Sequence, residues 1–206
     1  MAMSRIFRIA SAFVLAIGAS SLAQASIVVN GTFDTDLSGW STAVSGTGVT
    51  WQSQEARVGQ PGTPGVAALF QSFFIPAGST QLTIDFDYQW EVNAPALADL
   101  FEVELSYLDA ANATQTVTIL SESSAVAAFG PPATAFSTIV SLPGLNTTTP
   151  QGTILFRLTE HNSNVGTRIE LDNVVVTAQV PEASTLVIWS SLACLGMLLL
   201  RRRVST

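Results

Sequence analysis

The sequence predicts an all-β domain between residues 26 and 178, a jelly-roll β-sandwich of two antiparallel sheets. Three observations support this fold class. Apolar and polar residues alternate along several segments, which is the pattern of strands with one buried face. Clusters of Gly, Pro, Asn and Thr separate these segments at short intervals. No segment of the region shows a sustained period of 3.6, so helices that would cover a parallel sheet are not expected.

Two segments show the alternation most clearly, at 81–90 and 101–107. Every second residue of each segment is apolar and is expected to face the core. These residues are Leu82, Ile84, Phe86, Tyr88, Trp90, Phe101, Val103, Leu105 and Tyr107. Five further segments have the composition and the flanking residues of strands. They are 66–75, 114–121, 135–142, 153–160 and 167–178.

Charge is unevenly distributed along the chain, which carries a formal charge of −7 over 206 residues. Only three basic residues lie between residues 26 and 180, against fourteen acidic ones, so this part has a net charge of −11. Such a domain is not expected to bind nucleic acid or anionic lipid. The single Cys194 lies in the tail, so the domain has no internal disulfide and no zinc site of the usual His/Cys type.

The first 25 residues have the pattern of a secretory signal peptide. Arg5 and Arg8 precede an apolar run at 9–18, and the small residues Ala23 and Ala25 stand at the positions that signal peptidase reads. We therefore expect cleavage after Ala25. An uncleaved membrane anchor is the alternative, although the apolar run is short for a bilayer span.

The other end of the chain predicts a transmembrane helix. Residues 183–200 contain no charged side chain, and as a helix they would span about 27 Å. The arginines at 201–203 follow at once and favour the cytoplasmic side of a membrane. Together with the signal peptide, this pattern predicts an exported domain held by a C-terminal helix. A buried core helix is the alternative, but the segment is apolar on all sides and ends in an arginine cluster.

The motif Val180-Pro181-Glu182 stands directly before this helix. A VPE motif, an apolar helix and a terminal arginine cluster in this order resemble the PEP-CTERM sorting signal of exopolysaccharide-producing Gram-negative bacteria. The resemblance lies within residues 179–206 and implies recognition by an exosortase, a membrane transpeptidase-like enzyme. It also implies removal of the helix and release or attachment at the cell surface. Ala183 stands where the family has its second proline.

The two ends of the domain carry a second resemblance. The segment 30–34 (NGTFD), followed by 37–40 (LSGW), is similar to the "NGxFE…GW" opening of carbohydrate-binding-module-like, galactose-binding-domain-like jelly rolls. The segment 169–174 (IELDNV) is similar to their closing "LDNV" strand. The resemblance implies a sandwich of two antiparallel sheets and, often, a structural calcium near the termini. Many members bind sugars, but the fold also hosts proteins that do not, so it leaves the function open.

The resemblance places calcium where the opening motif meets the closing strand. The matching carboxylates are Asp34, in place of the family's usual Glu, and Asp172 of the ending. Backbone oxygens from Asn30 to Thr32 would complete the oxygen shell that calcium prefers. Asp36 is a possible extra ligand, with a turn residue as its alternative role.

The sequence carries no strong signal for catalysis. It contains no GxSxG, HExxH or phosphate-binding glycine motif, and the single His161 lies in a polar turn. Two carboxylate pairs, Glu102 with Glu104 and Asp85 with Asp87, are spaced about 6.6 Å along their strands and would suit an inverting glycosidase. They lie on open polar faces, however, whereas acid catalysis needs a carboxyl in an apolar setting. We therefore expect a non-enzyme, with a glycosidase as a distant alternative.

Polysaccharide binding is the leading molecular activity. A site for neutral sugars needs an exposed aromatic ring and side-chain amides or carboxylates for the hydroxyls. Trp51 is the candidate ring, with a place in the core as its alternative. The residues expected to line a polar sheet face are Asp85, Asp87, Gln89, Glu102 and Glu104. The parity of their strands instead indicates core positions for Trp40, Trp90, Tyr88 and Tyr107.

These patterns together predict an exported, non-catalytic cell-surface or extracellular-matrix protein. Signal peptidase and an exosortase would process it after export across the inner membrane of a Gram-negative bacterium, and exopolysaccharide would be its ligand. A structural surface protein with no specific ligand is the alternative class.

Overall fold

A computed structural model describes residues 25–60, 64–92, 98–125, 127, 130–161 and 167–180. Within these residues the regular elements are ten strands. They are β1 (Ser41–Ser45), β2 (Val49–Gln52), β3 (Glu55–Val58), β4 (Gly65–Phe74), β5 (Gln81–Val92), β6 (Leu100–Leu108), β7 (Thr114–Ser123), β8 (Thr134–Ser141), β9 (Gln151–Glu160) and β10 (Thr167–Gln179). The predicted signal peptide with Ala23, the motif residues Pro181 and Glu182, and the predicted helix 183–200 lie outside the described residues.

The strands form two five-stranded antiparallel sheets. Sheet A has the order β1-β4-β9-β6-β7, and sheet B has the order β2-β3-β10-β5-β8. This architecture confirms the predicted all-β sandwich. No described segment forms a helix that is long and apolar enough to cross a membrane.

The seven predicted strands correspond to β4 through β10, whereas β1, β2 and β3 were not predicted. β1 is exposed along its whole length, and β2 is exposed at three of its four positions. Neither strand therefore shows the alternation that reveals a half-buried strand. β3 does alternate, but it has only four residues, which is too short a pattern to read.

The core lies between the two sheets. All the apolar residues of 81–90 and 101–107 that were predicted to face inward are buried. Phe86 of β5 links the layers, because its ring centroid lies 5.3 Å from that of Phe156 on β9 in an edge-to-face contact. Trp40 is also a core residue, only 8% exposed, and its ring lies 5.4 Å from that of Phe33.

The segment that opens the domain completes sheet B. β3 pairs with β10 only at 169–171, and a register shift in β10 follows between Asp172 and Val175. Beyond this bulge the opening segment takes the place of β3. Ile27 N–H donates to the carbonyl of Val176 at 2.7 Å, and Val174 N–H donates to the carbonyl of Gly31 at 2.9 Å. The two motifs at the ends of the domain therefore meet in space.

The opening segment also reaches sheet A through Gln71 of β4, whose side chain is almost fully buried. Val29 N–H donates to Gln71 Oε1 at 2.7 Å, and Gln71 Nε2 donates to the Val29 carbonyl at 3.0 Å. This pair of bonds satisfies both ends of a buried amide. One segment thus ties the two sheets together.

Candidate functional site

The five polar residues predicted to line one sheet face lie on two opposite faces. Asp85, Asp87 and Gln89 belong to β5 of sheet B, whereas Glu102 and Glu104 belong to β6 of sheet A. The prediction of a single face was wrong in this respect. β5 and β6 follow each other in the chain but lie in different layers, so their outer faces point away from each other.

The carboxylates on sheet A are paired with an arginine. Arg157 Nη2 lies 2.8 Å from Glu102 Oε2 and 3.0 Å from Glu104 Oε1. The hydrogen bond to Glu102 is the main cause that raises the pKa of Arg157. Both glutamates are therefore engaged in a structural network on an open face.

The outer face of sheet B carries a polar row across four strands. Thr50 on β2 is in register with Arg57 on β3, Arg57 with Glu170 on β10, and Glu170 with Gln89 on β5. Arg57 Nη2 lies 2.8 Å from Glu170 Oε1, and Gln89 Nε2 donates to Glu170 Oε2 at 3.4 Å. The row presents a hydroxyl, a guanidinium, a carboxylate and an amide in succession.

A second arginine fixes this row in place. Arg168 Nη2 lies 2.8 Å from Glu91 Oε2 and 3.3 Å from Glu170 Oε1, so Glu170 stands between two guanidinium groups. Arg57 in addition donates to Gln52 Oε1. Since the side chains are only 10% exposed at Glu170 and 15% at Arg57, the network is held rigidly before any ligand arrives.

An open groove of about 350 Å³ runs beside the row. The residues that line it are Thr50, Trp51, Gln52, Arg57, Gly59, Gln60 and Arg168. Their amide, hydroxyl and guanidinium groups supply several hydrogen-bond donors and acceptors in a small space. Of the predicted ligand-binding residues, Trp51 lies in this groove, and Gln89 lies in the adjoining row.

Trp51 has a structural contact as well as an exposed surface. Its register partner on β3 is Ala56, which is fully buried, so the side chain of Trp51 leaves β2 on the core-facing side. The indole N–H donates to the carbonyl of Phe33 at 2.6 Å, while 40% of the residue remains exposed. Trp51 is therefore held in place at the edge of the sandwich, where it lines the groove. It is not a free platform on the sheet face.

Three acidic residues lie around the junction of the opening segment and β10. Asp172 is in register with Asp87 of β5, and the charge of Asp34, in the opening segment, acts on Asp172. Burial raises the pKa of Asp172, and the charges of Asp87 and Asp34 raise it further, against a hydrogen bond from Asn173 N–H. Among the described residues, none of these three carboxylates forms a salt bridge with a basic side chain. The charge of this junction suits a cation.

Asn30 serves the opening turn rather than this carboxylate group. Its Nδ2 donates to the carbonyls of Asp36 and Ser38 at 2.9 and 3.0 Å, and its own carbonyl accepts from Trp40 Nε1 at 3.0 Å. The part of the chain that the structure describes contains no group of three or more His, Cys, Asp or Glu side chains arranged as a metal site. Calcium at this junction would need backbone oxygens besides Asp34 and Asp172.

Sequence reasoning missed a buried polar cluster beneath one end of the groove. It consists of Thr47, Asp99, Glu160 and Thr167, none of which is more than 3% exposed. Glu160 and Thr167 are in phase with the inward residues Leu158 and Ile169 of their strands, so the alternation carries a signal for their burial. Thr47 and Asp99 lie outside the strands, where no such pattern exists. His161, predicted as a loop residue, follows Glu160, and its side chain is 49% exposed.

Comparison with solved structures concerns the fold. The enzymatically active domain of bacteriophage CBA120 tailspike protein 4 superposes with a TM-score of 0.51 at 15% identity, covering 75% of this chain and 21% of that one. This chain thus spans about a fifth of that protein's length. A TmCBM61 structure in complex with β-1,4-galactotriose has a TM-score of 0.49 at 13% identity, covering 75% and 99% of the two chains. A CBM4 structure has a TM-score of 0.49 at 18% identity, covering 72% and 100%.

Neither a protein-family model nor a curated protein sequence matches the chain. At these identities the structural similarity establishes the β-sandwich fold alone.

Proposed function

We propose that this domain binds a neutral, hydroxyl-rich polysaccharide along the groove of sheet B. The observation that carries the proposal is the row Thr50, Arg57, Glu170 and Gln89, whose groups are already fixed by mutual contacts beside an open groove. A sugar hydroxyl donates and accepts hydrogen bonds, so it is matched by a surface that offers both. Trp51 lines the groove and is 40% exposed, so it offers an aromatic side chain for the apolar face of a sugar ring.

The charges of the groove favour a neutral glycan over an anionic one. Both arginines of the groove are already paired with Glu170 or Glu91. The surrounding domain has a net charge of −11 between residues 26 and 180. A polyanion would meet this field without finding a free guanidinium. Similar structures that are carbohydrate-binding modules share the sandwich with this chain.

The location follows from the two ends of the chain. We propose that residues 1–25 direct export, and that Val180-Pro181-Glu182 with the helix 183–200 directs sorting by an exosortase. The ligand would then be the organism's own exopolysaccharide, at the cell surface or in the matrix. Mass spectrometry of the exported protein tests this part, with Ser26 as the expected first residue and no residue after Glu182. An intact helix in surface-located protein would indicate a permanent anchor instead.

Calcium is the third part of the proposal. The three carboxylates Asp34, Asp87 and Asp172 support it, because the described residues pair none of them with a basic side chain. Asp34 and Asp172 would be the side-chain ligands, as the sequence motifs indicate. The bound ion would join the opening segment to β10 and leave the groove unchanged.

A pair of arginine variants tests the groove. Arg57→Ala removes a guanidinium from the row. Arg157→Ala removes one that is likewise paired with glutamate but lies on the opposite sheet. We expect Arg57→Ala to weaken binding of the full-length protein to host exopolysaccharide by roughly tenfold or more, since a hydrogen bond to a charged group contributes about 1.5–3 kcal/mol. Arg157→Ala should bind like wild type.

Titration calorimetry with host exopolysaccharide, a neutral galactan and anionic alginate measures these affinities. Equal losses in the two variants, tighter binding of alginate, or no binding by wild type would each overturn the proposal. Release of reducing sugar from the same polysaccharides would indicate a glycosidase instead.

A further inference from the structure

One end of the groove rests on a buried carboxyl group. Gly59 and Gln60 form this end, which we call the wall, and Glu160 lies directly behind it at 3% exposure. Glu160 Oε1 accepts a hydrogen bond from Thr47 Oγ1 at 2.5 Å and a longer one from Gln60 N–H at 3.3 Å. Gln60 N–H also donates to Thr47 Oγ1 at 2.6 Å. The carboxyl, the hydroxyl and the backbone of the wall therefore form one closed network.

The absence of a side chain at Gly59 makes this approach possible. Gly59 has φ +104, and a Cβ there would lie 2.9 Å from Glu160 Oε1 and 2.5 Å from the Thr167 carbonyl. Its N–H donates to the carbonyl of Gly48 at 2.8 Å. The backbone of the wall thus packs directly on the carboxyl, so a change of charge at Glu160 acts on the wall without an intermediate side chain.

The groups that face Glu160 do not neutralise a charge on it. Asp99, from the segment before β6, is 1% exposed and accepts hydrogen bonds from His161 N–H at 2.8 Å and from Thr167 Oγ1. The His161 ring lies against Asp99, with Nδ1 3.8 Å from Asp99 Oδ1. The turn before β2 and the start of β10 contribute the neutral Thr47 and Thr167. Among the described residues, no arginine forms an ion pair with Glu160 or Asp99.

One carboxyl oxygen of Glu160 takes no part in this network. Oε2 is buried and has no hydrogen-bond partner within the described part of the chain. A buried carboxylate oxygen without a partner carries a large desolvation cost, whereas a proton on that oxygen removes the charge. Burial is the largest effect on the pKa of Glu160 and raises it, and the charge of Asp99 also raises it. The hydrogen bonds from Thr47, Gln60 and Thr167 lower it, but the pKa remains above its ordinary value.

We propose that Glu160 is a positioning residue of the groove, whose proton holds the Gly59–Gln60 wall closed and whose ionisation loosens the wall and weakens ligand binding. The reason is that the ionised carboxyl, beside Asp99, is stabilised by water, and water reaches it when the wall moves. The effect on ligand rests on the proposed polysaccharide site. The proposed ionisation of Glu160 makes ligand affinity at that site depend on pH, with the highest affinity at acidic pH.

The test follows the backbone amide of Gln60 by NMR in the full-length protein as the pH is raised. We expect its chemical shift to titrate with a midpoint above 4.5, the ordinary value for a glutamate, in wild type. The titration should vanish in Glu160→Gln, which mimics the protonated form. It should persist in the matched control Glu102→Gln, which makes the same change at a glutamate on the outer face of sheet A.

Ligand affinity is measured in the same pH series. The Kd for polysaccharide should rise by at most tenfold per pH unit in wild type, the limit for one proton, and should stay constant in Glu160→Gln. Thr47→Val is a second variant that removes the bridging hydroxyl with little change in shape. It should abolish the protection of the Gln60 amide against hydrogen exchange even if Glu160→Gln does not fold.

A Gln60 titration that persists in Glu160→Gln, that is missing from wild type, or that has its midpoint at the ordinary value would overturn the inference. So would Gln60 protection that is unchanged in Thr47→Val. If Gln60 titrates as expected and no polysaccharide binds at any pH, the proposed function fails while the control of the wall by Glu160 stands.

Discussion

Gly31 and Val174 approach each other more closely than any side chain at position 31 would permit. The Gly31 carbonyl accepts a 2.9 Å hydrogen bond from Val174 N–H, and a Cβ on Gly31 would lie 1.9 Å from the Val174 carbonyl oxygen. We expect Gly31→Ala to lower the free energy of unfolding by about 1–3 kcal/mol or more, because backbone must move to admit the methyl group. Thermal denaturation should show a fall in Tm of about 2–4 °C for each kcal/mol of lost stability.

The control for this prediction is Gly144→Ala. A Cβ at Gly144 meets no atom within 4 Å, so its cost is that of the left-handed backbone at φ +68 alone, about 1–2 kcal/mol. Gly31→Ala should therefore be the more destabilising variant. The opposite order would show that the opening segment is not held against β10.

The strands that the sequence predicted are those whose two faces meet different surroundings. In β5 the alternation is unbroken from Leu82 to Trp90, because one face meets the core and the other meets solvent. β1 and β2 lie at the sheet edges and are mostly exposed, so neither carries such a pattern. Periodicity therefore shows where a strand is half-buried, and it does not reveal an exposed edge strand.

The candidate site was harder to predict than the strands. Alternation identifies the outward residues of β5 and β6, but it does not tell which sheet each strand joins, so Gln89 and Glu102 were placed on one face. The register that aligns Arg57 with Glu170 joins strands more than a hundred residues apart. Glu160 is in phase with the inward residues of β9, but its partners Thr47 and Asp99 are distant in sequence, so alternation does not reveal the cluster that they form.

Trp51 contributes to stability through its indole nitrogen. The N–H donates to the Phe33 carbonyl at 2.6 Å, and Phe33 is fully buried. We expect Trp51→Phe to lower the free energy of unfolding by about 0.5–1.5 kcal/mol, the typical contribution of one hydrogen bond, as measured by urea denaturation. Phe74→Leu, at a residue 67% exposed on β4, is the control and should change stability by less than about 0.5 kcal/mol. If Trp51→Phe had the same free energy of unfolding as wild type, this indole contact would not hold the edge of the sandwich.

Calcium should stabilise the domain through Asp172. An ion that only the native state binds adds about 2.7 kcal/mol at a hundredfold excess over its Kd, or roughly 5–10 °C in Tm for a domain of this size. We expect a chelator to remove this increment from wild type and from the control Glu102→Gln, and to have a much smaller effect on Asp172→Asn. Differential scanning calorimetry with and without calcium measures the shifts. Equal shifts in all three proteins, or none, would exclude Asp172 as a ligand.

Tyr88 should make the fold sensitive to alkali. Its hydroxyl donates to Glu122 Oε2 at 3.0 Å, and the same oxygen accepts from Trp90 Nε1 at 2.8 Å. Burial raises the pKa of Tyr88 to about 12, and the hydrogen bond and charge of Glu122 add to the effect. Because the pKa in the folded state exceeds the unfolded value of 10.0, this stabilisation is complete below pH 10 and is lost as the pH rises towards 12.

Two measurements check this prediction. Across that window the Tm of wild type should fall more steeply than that of Tyr88→Phe. The chain has two tyrosines, so Tyr107→Phe leaves Tyr88 as the sole tyrosine to titrate. The ultraviolet absorbance of tyrosinate in Tyr107→Phe should then rise with a midpoint near 12. A midpoint near 10 in that variant while it is still folded would contradict the prediction, since it would show that the Tyr88 hydroxyl is open to solvent rather than held against Glu122.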